Sequence, residues 1–254
     1  MSFSFASLGS GSRGNATLIR SENALLLVDN GFTLKETERR LAKLGHCPED
    51  ISAILVTHEH GDHIKGVGPL ARKYQLPVYL THGTAQYQGL NNVNEMHQIN
   101  IHRIFTVEDI DITPVAVPHD AREPCQFVFR HANKTIGLLT DLGSITPHVT
   151  EQYQHCDALM LECNHCPELL AMGQYPASLK QRVGGHWGHL SNHQAANLLE
   201  QIDVERIQHL VISHISENNN TEALAKAAVT KWYSQDLPIL AKQDEAIDLS
   251  LIHI

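Results

Sequence analysis

Apolar and polar positions alternate along this 254-residue chain in blocks of two kinds. Ala24–Val28, Ala53–Thr57 and Val78–Leu80 are short, nearly unbroken apolar runs, the pattern of buried strands. The first run stops at Asp29-Asn30-Gly31, a turn sequence. Between such runs the apolar period lengthens. Leu34, Leu41 and Leu44 mark one face of a helix that opens at Thr33, where Thr33 and Glu36 predict a capping box, and closes at Gly45. A second helix is predicted over Ile64–Tyr74. Further strands are predicted over Ile110–Val117, Gln126–His131 and Thr135–Thr140, the last two joined by a turn at Ala132-Asn133. Ala158–Leu161, His209–Ser213 and Ile247–Leu251 complete the strands. Helices are predicted near Pro147–Gln154, from a capping box at Ser191 and Gln194 to Gln201, and over Thr221–Trp232. Residues 83–105 are polar and poorly periodic, and read as a helix or an excursion.

Strands come first in a hairpin-like run and later alternate with helices. That order predicts one α/β domain over residues 1–254 with mixed rather than all-parallel sheets. A hydrophobic fraction of 42% over this length supports a sizeable core and argues against disorder. No run of about 18 apolar residues exists, so no membrane span is expected. Met1 to Asn15 shows no basic region followed by an apolar run, so no secretory signal is expected and a cytoplasmic location is. The five cysteines, Cys47, Cys125, Cys156, Cys163 and Cys166, suit reduced thiols better than a disulfide framework. A zinc reading of Cys163-x-x-Cys166 is weak, because only His155 and Cys156 lie nearby in sequence. The net charge of −9 excludes a general electrostatic binder of nucleic acid. It leaves room for a local basic groove, or for a site whose positive charge comes from metal. Arg39, Arg40 and Lys43 read as the solvated face of their helix, while Lys180 and Arg182 read as flanking the site.

Histidine changes the picture. The chain holds 18, several times the usual share. His58, His60, Asp62 and His63 fall together directly after the strand Ala53–Val56. Carboxyl ends of strands are where α/β proteins place their chemistry. A short loop turns His58 and His60 toward one ion, and Asp62 and His63, at the start of a helix, point toward a second. Imidazole and carboxylate ligands suit zinc, iron or manganese.

The segment His58-x-His60-x-Asp62-His63 resembles the signature of the metallo-β-lactamase superfamily. That resemblance implies an αβ/βα four-layer sandwich of two mixed β-sheets with a dinuclear site at one edge. It also implies further ligands at later strand ends, and His119, Asp141 and His214 stand there in order. His58, His60 and His119 are then expected on one ion, Asp62, His63 and His214 on the other, and Asp141 between them. Asp29 matches the superfamily's early acid and is expected to orient a ligand from behind, as is Asp120. Leu8–Asn15, His119-Asp120-Ala121, Leu161–His165, Tyr175-Pro176 and Gly188–Asn192 are similar to the YycJ/WalJ-like branch, described as DNA exonucleases. Cys166 departs from that branch, which has Asp there, and His186 is an extra histidine.

The glycine-rich loop Gly9–Gly14 reads equally as a tight hairpin turn or as a backbone nest for phosphate, with Ser10, Ser12, Arg13 and Asn15 as contacts. His165 and His189 are expected at the phosphate, with His189 holding it or protonating the leaving oxygen. The reaction implied is phosphodiester hydrolysis by a hydroxide bridging two divalent ions about 3.5–4 Å apart, with Asp62, Asp141 and His189 as catalytic residues. Zinc is preferred, with manganese or iron as alternatives. DNA is the favoured substrate over RNA, with a role in DNA repair. The alternatives are a cyclic phosphodiesterase, a thioesterase of glyoxalase II type or a lactonase on the same fold, or a non-catalytic nucleic-acid-binding member.

Overall fold

Period-two alternation within the apolar runs sets the layers. The computed structural model describes residues 3–247 and 251–252. The first sheet is built from β1 (Phe3–Gly9), β2 (Ala16–Arg20), β3 (Leu25–Val28), β4 (Ala53–Leu55), β5 (Val78–Thr81) and β6 (Met96–Ile99). The second follows as β7 (Phe105–Val107), β8 (Ile110–Ala116), β9 (Cys125–His131), β10 (Lys134–Leu139), β11 (Ala158–Glu162), β12 (His209–Ser213) and β13 (Ile239–Leu240). A short β14 (Leu251–Ile252) returns to pair antiparallel with β1. In each sheet the early strands pair antiparallel, and β3 to β6 and β10 to β13 pair parallel.

Phe127 and Phe129 of β9, Leu138 of β10 and Met160 of β11 join Phe3, Phe5 and Leu18 in one buried cluster between the sheets. The intervening residues Val128, Leu139, Leu159 and Leu161 point the other way. They pack under α4 (Pro147–Tyr153), α7 (Asn192–Gln201) and α8 (Glu222–Thr230) through Val149, Leu198, Leu199 and Val229. Each such side chain contributes about 1.5–3 kcal/mol on burial. The Tyr153 ring lies over Gly137, where a Cβ would stand 2.7 Å from Cδ1, and its hydroxyl donates to the Leu138 carbonyl at 2.8 Å.

On the first sheet, α1 (Leu34–Lys43) starts as the sequence indicates, with the Thr33 hydroxyl accepting from the Glu36 N–H. The capping box itself does not form, because the Glu36 carboxylate turns to Arg39 and Arg40 instead. Arg40 is not on a solvated face. It is buried, stacks on Phe32, and donates to the carbonyls of Leu8 and Gln243. Gly45 (φ 75°) ends the helix. The helix predicted over Ile64–Tyr74 is two pieces, α2 (Gly61–Ile64) and α3 (Val67–Tyr74). The break falls at Gly66, whose N–H donates to the Asn30 carbonyl and whose Cα leaves no room for a side chain beside the Phe32 carbonyl. Residues 83–105 hold no α-helix; they form two short 3₁₀ turns and the strand β6. Of the predicted strand Ile247–Leu251, Ile247 bridges to Ser7, residues 248–250 lie outside the described residues, and Leu251 belongs to β14. The strand β13 and the helices α5 (Pro167–Met172) and α6 (Ala177–Val183) have no counterpart in the sequence reading.

Candidate metal centre

The carboxyl ends of β3, β4, β10, β11 and β12 deliver Asp29, the loop Thr57–His60, Asp141, Glu162 and His214 to one edge of the sandwich. Two of these residues, Asp29 (φ 58°) and His214 (φ 51°), hold left-handed backbone conformations. Such conformations are costly away from glycine and cluster at functional sites.

His58, His60 and His119 form one group of potential ligands, and Asp62, His63 and His214 another. Asp141 is fully buried and faces ring nitrogens of the second group, with one oxygen 2.6 Å from His63 Nε2 and the other 3.0 Å from His214 Nδ1. His58 and His63 share a further group with Asp141, so the two sets meet at that carboxylate. His60 Nδ1 and His119 Nε2 are 3.2 Å apart, too close for two undisturbed neutral rings to ignore one another.

Most of the rings are fixed from behind, and that decides which nitrogen faces inward. His63 Nδ1 lies 2.8 Å from Asp29, His119 Nδ1 2.9 Å from the Gly188 carbonyl, and His214 Nδ1 2.9 Å from the Thr140 carbonyl. His58 Nδ1 meets the Thr57 hydroxyl at 2.9 Å, and that hydroxyl donates to Asp29 at 2.7 Å. His58, His63 and His119 therefore turn Nε2 toward the centre, whereas His214 turns Nε2 toward Asp62 at 3.6 Å and keeps Nδ1 within 3.0 Å of Asp141. His58 Nε2 is buried there without a partner. An orphaned imidazole nitrogen, further ring nitrogens crowded beside it and the buried Asp141 carboxylate are a donor set that a divalent cation fits.

Charge follows the same geometry. Burial opposes a charged ring at His63, but Asp141, Asp29 and Asp62 outweigh it and hold the ring well above the ordinary imidazole range. His214 is raised in the same way, against burial, chiefly by Asp141. Burial would raise Asp62, yet His63 and His214 draw it down to about 2. His58 goes the other way: burial, then the neighbouring His63, push it well below the usual value. Protons gathered among these carboxylates are what metal binding displaces.

A cavity of about 330 Å³ opens over the centre. Asp62, Asp141, His189 and His214 line one side, and Tyr175, Leu179 and Val183, on α6 and the loop before it, line the other. His189 Nδ1 is committed to Glu162 at 2.8 Å and to Asp141 at 2.9 Å, leaving Nε2 for the cavity. Asp120 sits at the rim, 3.8 Å from His60 Nε2, and pairs with Arg182 of α6.

The glycine-rich loop behaves differently from a phosphate nest. The Ser10 hydroxyl donates to Asn15 and accepts from the His214 N–H, and the Asn15 amide reaches Asp62 and His63. Both residues brace the ligands and are not free for substrate. Arg13 is turned away and paired to Glu217 and Asp244. Ser12 alone of the four expected contacts lines the cavity. His165 is also not at the catalytic cavity; it lines a neighbouring one. Burial lowers its ring to about 4.

Glu162 is the residue that sequence reasoning missed. It is fully buried, accepts from the N–H groups of Leu142 and Leu190, and holds His189 and His214. Its signal was its position: an acid directly after the apolar run Ala158–Leu161, as Asp141 follows β10.

Residues 25–215 match the family described as the beta-lactamase superfamily domain, and the chain belongs to that superfamily. Within it, the chain is 36% identical over 235 residues to the Bacillus anthracis protein named exodeoxyribonuclease YycJ, covering 91% of this chain and 89% of that one. It is also 36% identical over 239 residues to exodeoxyribonuclease WalJ of Streptococcus pneumoniae, covering 92% and 89%. The fold is similar to that of the metallo-β-lactamase fold protein YhfI of Bacillus subtilis, with a TM-score of 0.74, 19% identity and coverage of 97% and 99%. The two mixed sheets with flanking helices are the sandwich that the signature implied. No helix among the described residues is long and apolar enough to cross a membrane.

Proposed function

We propose that this protein is a metal-dependent phosphodiesterase that degrades nucleic acid, DNA in preference to RNA, in the manner of an exonuclease. The observation that carries the reading is the meeting of two ligand sets at Asp141 on the floor of a single cavity. The names of the two relatives that span nearly the whole chain support the substrate class.

In this reading His58, His60 and His119 hold one divalent ion, Asp62, His63 and His214 hold the second, and Asp141 serves both. Ions bound there supply Lewis acidity toward a phosphoryl oxygen and a water of lowered pKa. The imidazole and carboxylate donors favour zinc, with manganese or iron also suited. The chain's own groups do the rest. Asp29, through Thr57 and directly, keeps His58 and His63 presenting Nε2. Glu162 and Asp141 hold His189 by Nδ1, so that Nε2 donates its proton to the departing ester oxygen as the P–O bond breaks. Tyr175, Leu179 and Val183 give a nucleoside an apolar wall, and they keep water from the leaving group. Arg182 at the rim meets backbone phosphate.

The test is a cleavage panel with the zinc- and manganese-loaded protein. It comprises end-labelled single- and double-stranded DNA, RNA, bis-p-nitrophenyl phosphate and a glutathione thioester. Stepwise shortening of DNA is expected. Turnover of the thioester alone would overturn the reading.

A further inference from the structure

Beside the catalytic cavity lies a second, of about 490 Å³. One stretch of chain, Val183–Gly188, divides the two. Val183 and Gly188 face the catalytic cavity, whereas Gly184 and His186 face the second. Trp187, between His186 and Gly188 in this stretch, lines neither cavity and is 64% exposed, although an indole in water forgoes much of its burial energy. Nothing in the centre described above uses it.

The second cavity also contains a polar group without an internal role. His165 is only 3% exposed, and its Nδ1 is buried with no hydrogen-bond partner. Its backbone is fixed, because its carbonyl accepts from the Asn192 N–H at 2.9 Å. Its Nε2 faces Gly184, where a Cβ would stand 3.8 Å away, so the missing side chain keeps the ring open to the cavity. A buried, unpaired imidazole is normally costly. Nδ1 itself is enclosed, and the edge left for a ligand is Nε2, on the Gly184 side of the ring.

An exposed indole on the stretch of chain that borders the cavity, and a recessed imidazole edge within it, are the two kinds of contact that hold a nucleobase: stacking and an edge hydrogen bond. We propose that this cavity is a base subsite, in which the nucleotide next to the scissile phosphodiester stacks on Trp187 and sets its hydrogen-bonding edge against His165. The inference rests on the nucleic-acid reading above and deepens it: the strand crosses the dividing stretch, its reacting phosphate on one side and the neighbouring base on the other. Stacking tolerates any base, which suits processive removal of nucleotides.

Two variants test it with the metal-loaded enzyme. Trp187→Ala removes the platform. Gly184→Leu fills the cavity from a position whose backbone (φ −87°, ψ 4°) accepts any residue. Each is assayed on a single-stranded decanucleotide and on bis-p-nitrophenyl phosphate, which has no base. The expected result is a KM for the oligonucleotide raised about tenfold, the scale of one lost base stack, with kcat/KM for the small ester within twofold of the parent. In a Trp232→Phe background, the oligonucleotide is expected to quench the remaining indole fluorescence. Oligonucleotide KM within twofold of the parent in both variants would overturn the subsite. So would a parallel fall on both substrates, which would place these residues in the catalytic cavity. If the unaltered protein cleaves neither substrate, the phosphodiesterase reading has failed first and the subsite falls with it.

Discussion

Replacing Asp29 by Asn probes how the metal ligands are oriented. Asp29 Oδ1 accepts from the Thr57 N–H at 2.8 Å, and Oδ2 accepts from the Thr57 hydroxyl at 2.7 Å and faces His63 Nδ1 at 2.8 Å. An amide offers one acceptor where the carboxylate offers two. If its NH₂ replaces Oδ2, it confronts His63 Nδ1–H. His63 must then move its proton to Nε2, the nitrogen a metal needs. If the NH₂ replaces Oδ1, it confronts the Thr57 N–H. Either way one donor meets another, and the charge that favours His63 Nδ1–H is gone. A charge-assisted hydrogen bond contributes about 1.5–3 kcal/mol, so metal affinity should fall by about 10–100-fold. The backbone does not confound the test, because Asn adopts the left-handed conformation at position 29 as readily as Asp. Competition against a chelating dye measures the affinity, and circular dichroism checks the fold. A variant that binds metal within twofold of the parent would refute the reasoning.

Three further predictions follow from the same geometry. His189→Ala should lower kcat on DNA by about 10²–10⁴ while metal content, measured by mass spectrometry, stays unchanged; an unaltered rate would demote His189 to a bystander. Gly31→Ala would place a Cβ 1.8 Å from the Asp62 carbonyl oxygen, so metal binding and activity should drop together, and a fully active, fully loaded variant would contradict that close approach. Hydrogen bonds from Arg39 first, then Arg40, hold Glu36 at about 2, below its usual 4.5, so its contribution is complete above pH 4.5 and is lost as pH falls toward 2. Glu36→Gln should therefore cost about 1 kcal/mol in urea unfolding at pH 7, with the gap to the parent closing near pH 2; a gap independent of pH would refute the pairing.

Much of this site was legible because its residues follow apolar runs. A strand buried on both faces announces itself, and the residues just past it are delivered to the sheet edge. That logic located the loop His58–His63, Asp141 and His214, and it applied equally to Glu162, which was passed over because no spacing rule singled it out. What was not legible depends on contacts between distant segments. Arg40 reads as a surface cation until the carbonyls of Leu8 and Gln243, far away in the chain, are brought beside it. Gly66 reads as a tolerable helix glycine until the Phe32 carbonyl leaves no room for a Cβ. The loop Gly9–Gly14 has the composition of a phosphate nest, but its polar groups are spent inward on Asn15, His214 and Gln243. The helices α6, which walls the catalytic cavity, and α5, which lines the neighbouring one, are too short for a hydrophobic period to reveal.

Metal stoichiometry tests the central claim most directly. The protein is saturated with zinc, desalted, and analysed by inductively coupled plasma mass spectrometry against its concentration. Two converging ligand sets meeting at Asp141 predict about two ions per chain. One ion per chain, or none, would contradict the account.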